Sequence, residues 1–238
     1  MIANTIRLWL PALAAVVVLW ATHAWGDSVK ANHAKIRKVV KTLQATYRNT
    51  KDLQADFTQQ TRIEGFATPL SSRGRLYIKK PGRLRWDYRE PTVEQIYVNK
   101  SQVQMYVPAH EQVLIGDLTR MTASRAPLRL LQGVAKLEEE FDYAPTKVLE
   151  TGAGGLPLVT LLPKTSTHEA VQNVAKIVLE VQPKTYYIKT LHIHEISGNV
   201  STFEFSNLQA NTGLKDGLFE FTVPPGVEVV KAPALSPP

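Results

Sequence analysis

The hydrophobic positions change their period early in the chain. Ile36, Val39, Val40, Leu43 and Tyr47 recur at i, i+3, i+4, i+7 and i+11, with Lys35, Arg37, Lys38, Lys41 and Arg48 between them. That is one apolar stripe on a helix, wide enough to pack on a sheet. From Leu53 the period is two. Leu53, Ala55 and Phe57 alternate with Gln54, Asp56 and Thr58. Leu76 and Ile78 alternate with Arg75, Tyr77 and Lys79, and Leu84, Trp86 and Tyr88 with Arg83, Arg85, Asp87 and Arg89. Val103, Met105 and Val107 alternate with Gln102, Gln104 and Tyr106. These segments predict half-buried strands, each with one apolar face. Pro81-Gly82 is a two-residue turn signal, so residues 76–79 and 84–88 form a hairpin.

The second half repeats the pattern. Residues 156–162, 174–181, 186–196, 200–205 and 218–223 read as strands, with turns at Pro163, Pro183-Lys184, Ser197-Gly198-Asn199 and Asp216-Gly217. Between the halves, Ser124 caps a short helix. Pro127 suits its first turn, Leu128, Leu130 and Leu131 are its apolar positions, and Gly133 ends it. Gly152-Ala153-Gly154-Gly155 is a loop. The order is helix, about five strands, short helix, about five strands, an antiparallel meander. A sheet that long curls around its apolar face or closes into a barrel, and the two helices cover that face or plug the opening. No stretch resembles an interdomain linker, so residues 27–230 are expected to be one domain. Residues 231–238, with three prolines, are a flexible tail.

The first 26 residues stand apart. Arg7 and the amino terminus give a positive start, Leu8 to Trp20 is apolar apart from Pro11, and small residues follow. This is the layout of a cleavable secretory signal peptide, with cleavage after Ala24 or Gly26. The apolar run is short of the roughly 20 residues that span a bilayer. A soluble, exported protein is expected.

Composition narrows the chemistry. The 238 residues carry 28 Lys+Arg against 21 Asp+Glu, a net +7, and no cysteine. A disulfide framework, a cysteine metal site, a thiol nucleophile and a lipid-bearing cysteine are all excluded. His192 and His194 share a strand face, but no third ligand stands at a recognisable spacing, so no metal is expected. Two exposed strand histidines account for the pair. No Gly-x-Ser-x-Gly elbow and no phosphate-binding glycine loop are present. Glu138-Glu139-Glu140 with Asp142 reads as a solvated surface. Arg73, Arg75, Lys79, Lys80, Arg83, Arg85 and Arg89 interleave with Tyr77, Trp86 and Tyr88, as in single-strand nucleic-acid binders. Export argues against that partner, and the alternation sets Trp86 and Tyr88 on the face opposite Arg83, Arg85 and Arg89. A basic outer surface instead suits an acidic partner or anionic headgroups.

Several segments together resemble one family. Leu53-Gln54-Ala55-Asp56-Phe57-Thr58-Gln59-Gln60 is similar to its first strand. Residues 74–88, GRLYIKKPGRLRWDY, followed by Pro91 and Gln95, are similar to its most specific signature. Tyr106-Val107-Pro108 with Glu111-Gln112-Val113 follows in place. Phe203-Glu204-Phe205-Ser206-Asn207 and residues 219–227, FEFTVPPGV, are similar to its last strands. The family is the periplasmic outer-membrane lipoprotein carriers, LolA, and the resemblance covers nearly all of residues 27–230.

The resemblance implies a mainly β fold with covering helices (α+β), an incomplete, curled antiparallel β-barrel with a helical lid over an apolar cavity. It implies a carrier and not an enzyme, with no cofactor. Its partners would be acylated lipoproteins, an inner-membrane ATP-driven releasing complex and an outer-membrane acceptor lipoprotein, met in the periplasm; a monomer is the default for such a shuttle. The family's acceptors carry a lipidated cysteine, which this chain lacks. Family members often have Arg before the Pro of the Pro-Gly turn, where it bonds to the lid helices and governs opening. Here that position is Lys80, which keeps the charge and loses the planar fork of donors. Phe57, Leu76, Ile78, Leu84, Trp86, Met105, Leu128 and Leu131 are the candidate cavity and lid residues, with Lys80 the candidate latch; ordinary core packing uses the same residue types. Each CH₂ buried in such a cavity is worth about 0.8 kcal/mol. The alternatives are a lipid or lipoprotein sensor on the same fold, a kind that usually adds a second domain for which the length leaves little room, and an exported acyl hydrolase, which would need a nucleophile and base.

Overall fold

In a computed structural model, residues 12–117, 131, 137–144, 150–164 and 173–231 are described, with side chains from Val29 onward. Helix α1 spans Ala12–Asn49. Its stripe of Ile36, Val39, Val40, Leu43 and Tyr47 is buried, and Lys35, Arg37, Lys38, Lys41 and Arg48 face solvent, as the 3.6-residue period requires. Six strands follow: β1 (Asp52–Arg62), β2 (Leu70–Lys79), β3 (Arg83–Glu90), β4 (Glu94–Asn99), β5 (Gln102–Val107) and β6 (Gln112–Asp117). A helical turn at Leu137–Glu140 leads into β7 (Phe141–Tyr143). Then come β8 (Val159–Pro163), β9 (Val174–Val181), β10 (Ile188–Glu195), β11 (Val200–Ala210) and β12 (Glu228–Lys231).

All twelve strands form one sheet in the order β12-β6-β5-β4-β3-β2-β1-β11-β10-β9-β8-β7. It is two meanders, joined where β1 pairs with β11. β12 and β7 are its two edges, so the sheet is curled and unclosed. Register explains how one face collects the apolar residues. Leu53, Ile78, Leu84, Val98 and Val103 stand directly opposite one another across β1 to β5, as do Ala55, Leu76, Trp86, Ile96 and Met105. Each strand's period of two adds its members to these rows. The buried stripe of α1 belongs to the same core cluster.

Three sequence expectations are corrected. Residues 218–223 are not a strand. Asp216–Phe219 is a 3₁₀ turn, and residues 211–227 run from the end of β11 across the outer face of β2 to β5 to β12. Their alternating aromatics are one-sided because Phe221 packs on Tyr97 and Tyr106, at ring distances of 5.0 and 5.4 Å, and not because they pair in a ladder. The sheet is not antiparallel throughout, since β12 runs parallel to β6. Lys231, assigned to the tail, ends β12. The rest of the tail, Leu128 and the other positions of the expected short helix except Leu131 lie outside the described residues. Leu131 is helical and buried.

Candidate functional site

The sequence candidates converge. Phe57, Leu76, Leu84 and Trp86 are buried on the inner face, and Leu131 joins them. Ile78 and Met105 are half-buried and pack against the same cluster. The centre is aromatic. Trp86 lies 4.7 Å from Phe57, 5.5 Å from Phe203 and 6.4 Å from Phe205 between ring centroids. Gly74 makes this possible. A Cβ there would sit 1.9 Å from the Asp87 carbonyl oxygen and 2.8 Å from the Phe57 ring.

The apolar interior is occupied by the protein's own helix. Beside the end of α1 a cavity of about 50 Å³ remains, lined by Tyr47, Leu53, Ile78, Lys80 and Leu131 among others. One water takes about 10–15 Å³ of such space, so this cavity is far smaller than an acyl chain. Among the described residues, moving α1 is what would open more room on this face.

Polar contacts fix the helix at its C-terminal end. The Lys80 ammonium donates to the carbonyl oxygens of Tyr47 and, at 2.9 Å, Arg48. These belong to the last turn of α1, which carries the negative end of the dipole; the Tyr47 carbonyl also accepts from the Thr50 N–H at 3.3 Å. The Lys80 N–H donates to Lys51 O at 2.9 Å. Burial, and then the Arg48 cation, push the Lys80 ammonium below its ordinary pKa. The Tyr47 hydroxyl accepts from the Ile188 N–H at 3.4 Å, and Thr50 Oγ1 shares a 2.9 Å bond with the Tyr187 hydroxyl. Burial raises the Tyr47 hydroxyl far above the usual tyrosine range. Gly82 holds φ at +64°, the left-handed region that closes the β2–β3 turn behind Lys80. Trp86 Nε1–H, buried in the core, has no hydrogen-bond acceptor among the described residues.

The outer face is different. Asp216 bridges Lys79 at 2.6 Å and Arg83 at 2.8 Å, Arg85 pairs with Asp87 at 2.9 Å, and Arg73 pairs with Glu90. Much of the basic cluster that suggested nucleic acid is thus engaged in ion pairs on this face. His192 and His194 are half-buried, not exposed, and His192 Nδ1 lies 3.0 Å from Thr202 Oγ1. Among the described residues no group of three or more His, Asp or Glu is placed to hold a metal ion. None of their helices is long and apolar enough to cross a membrane. The sequence reading missed Tyr47 as a site residue, though its stripe held it, and Asp216, for which spacing gives no signal.

These features define a class: a curled, unclosed and mostly antiparallel sheet that sheathes the apolar stripe of an amphipathic helix. The model of the family described as outer membrane lipoprotein carrier protein LolA matches residues 48–222, and the chain belongs to that family. It is 27% identical over 216 residues to a protein named outer-membrane lipoprotein carrier protein from Methylobacillus flagellatus, covering 91% of this chain and 94% of that one. It is 29% identical over 220 residues to the protein of that name from Methylococcus capsulatus, covering 92% and 98%. An uncharacterised conserved protein from Thermus thermophilus shares the fold, with a TM-score of 0.52 at 13% identity over 82% of this chain and 98% of that one. The names of the sequence relatives are those of carriers and not of enzymes.

Proposed function

We propose that this protein is a periplasmic carrier. It takes acylated lipoproteins released from the inner membrane by an ATP-driven complex and passes them to an acceptor at the outer membrane. The observation that carries the reading is the inner face itself. An apolar surface on one face of the sheet packs against α1, whose C-terminal end is held by Lys80 together with the Tyr47 and Thr50 contacts. Moving α1 aside exchanges helix–sheet contacts for acyl–sheet contacts. At about 0.8 kcal/mol per buried CH₂, part of one acyl chain offsets a large share of the loss. The ligand and the helix compete for one surface, so binding and opening are one equilibrium. The unpaired Trp86 Nε1–H would give a cargo ester or amide carbonyl a donor inside an otherwise apolar sheath.

The test is a release assay. Inner-membrane spheroplasts charged with newly made lipoprotein are incubated with the purified protein, and the soluble fraction is assayed for lipoprotein. Soluble lipoprotein in complex with the protein is the expected result. Lipoprotein that stays in the membrane at every protein concentration would overturn the proposal.

A further inference from the structure

Both partners of the Lys80 contact are gripped from outside by one short segment. On the helix side, the Lys51 N–H donates to Asn211 Oδ1 at 2.7 Å, and the Asn211 N–H donates to Asp52 O at 2.8 Å. The Asp52 carboxylate, itself buried, accepts from the N–H groups of Thr212 at 2.8 Å and Gly213 at 3.1 Å. Residues 211–213 are thereby fixed to the joint between α1 and β1. On the turn side, Lys79 donates to Leu214 O, and Asp216 bridges Lys79 and Arg83. These cations flank Lys80-Pro81-Gly82, so residues 214–216 are fixed to the turn that carries the latch. Lys79 and Arg83 are directly opposite each other in the β2–β3 register, and one carboxylate clamps both.

We propose that residues 211–216 are an external bracket on the lid, and that Asp216 is a positioning residue for Lys80. The bracket spans from the end of α1 to the β2–β3 turn, the same two elements that Lys80 joins on the inside. It holds the ammonium within reach of the Tyr47 and Arg48 carbonyls. Exposed ion pairs add little to global stability, and Asp216 is exposed. Its effect therefore falls on the geometry of the turn and not on the fold as a whole. The proposal deepens the carrier reading and rests on the Lys80 contact as the latch.

Hydrogen exchange followed by mass spectrometry on the whole protein tests it, read over residues 44–51 and 79–83, with Tm measured alongside. Asp216→Asn is expected to speed exchange in those two segments by about two- to five-fold with little change of Tm. Asp216→Glu is expected to restore the slow rate. Asn211→Ala, acting at the other end of the bracket, is expected to have the same local effect as Asp216→Asn. Lys80→Ala is the control that opens the latch directly. If Lys80→Ala speeds exchange and neither bracket variant does, the bracket is wrong and the latch stands. If Lys80→Ala changes nothing, the latch fails and the bracket with it. Faster exchange spread over all strands would make Asp216 a general stabiliser and overturn the positioning role.

Discussion

Lys80 carries the polar side of the account. Removing its ammonium in Lys80→Ala leaves the Tyr47 and Arg48 carbonyls without their charged donor, at an expected cost of about 1 kcal/mol. Urea unfolding would read this, and cargo should be taken up and lost faster. Lys80→Arg offers a planar, pre-organised fork to the same carbonyls, and slower cargo exchange than wild type is expected in the release assay. Gly74→Ala drives a methyl into the Asp87 carbonyl and the Phe57 ring and should cost about 1–3 kcal/mol in the same unfolding experiment. His192 and His194 supply the pH dependence. Burial is the largest cause holding both below their ordinary 6.5, and for His194 the Lys176 and His192 charges add to it. The folded state therefore binds fewer protons than the unfolded chain in this range. Tm should fall by a few degrees at most as pH drops from 7 through 6.5 toward the depressed folded values, and His192→Gln with His194→Gln should flatten that slope. Most apolar site residues were legible because they sit in period-two strands. Asp216 was not, because its partners are brought to it by a chain crossing that leaves no trace in local spacing.

Among the elements, α1 is both core and cover. Its stripe was legible from Lys35 to Arg48 because one side packs and the other is almost wholly cationic. Leu43 is fully buried against the sheet, so Leu43→Ala should cost about 2–5 kcal/mol. A fall in Tm of roughly 5–15 °C follows and can be read by calorimetry. β4 escaped the alternation for a physical reason. Tyr97 points away from the core, yet Phe221 and the Arg85 guanidinium, 5.0 Å above its ring, cover it. Ile96-Tyr97-Val98 then reads as a continuous apolar run instead of an alternating one. β6 shows the same unbroken apolar run in Val113-Leu114-Ile115, with Val113 buried and Leu114 and Ile115 half-buried. The strap of residues 211–227 misled in the opposite direction, because one-sided packing of aromatics imitates a strand.

The described strands form a single sheet whose apolar face packs against the stripe of α1. Among the described residues the sheet ends at β12 and β7 without closing, and a net charge of +7 works against self-association. The family was legible because its signature falls on β2, the Pro-Gly turn and β3, which supply members of the inner rows and carry Lys80. The state of the lid was not legible, since the same residue types pack a helix or an acyl chain. Native mass spectrometry after co-expression with a triacylated lipoprotein, without detergent, tests the central claim most directly. A 1:1 complex is predicted, lost in Leu84→Glu and kept in a variant at an exposed α1 position such as Lys38→Gln, with circular dichroism confirming that both variants fold. Only unliganded protein, under conditions in which a family member retains its cargo, would contradict the account.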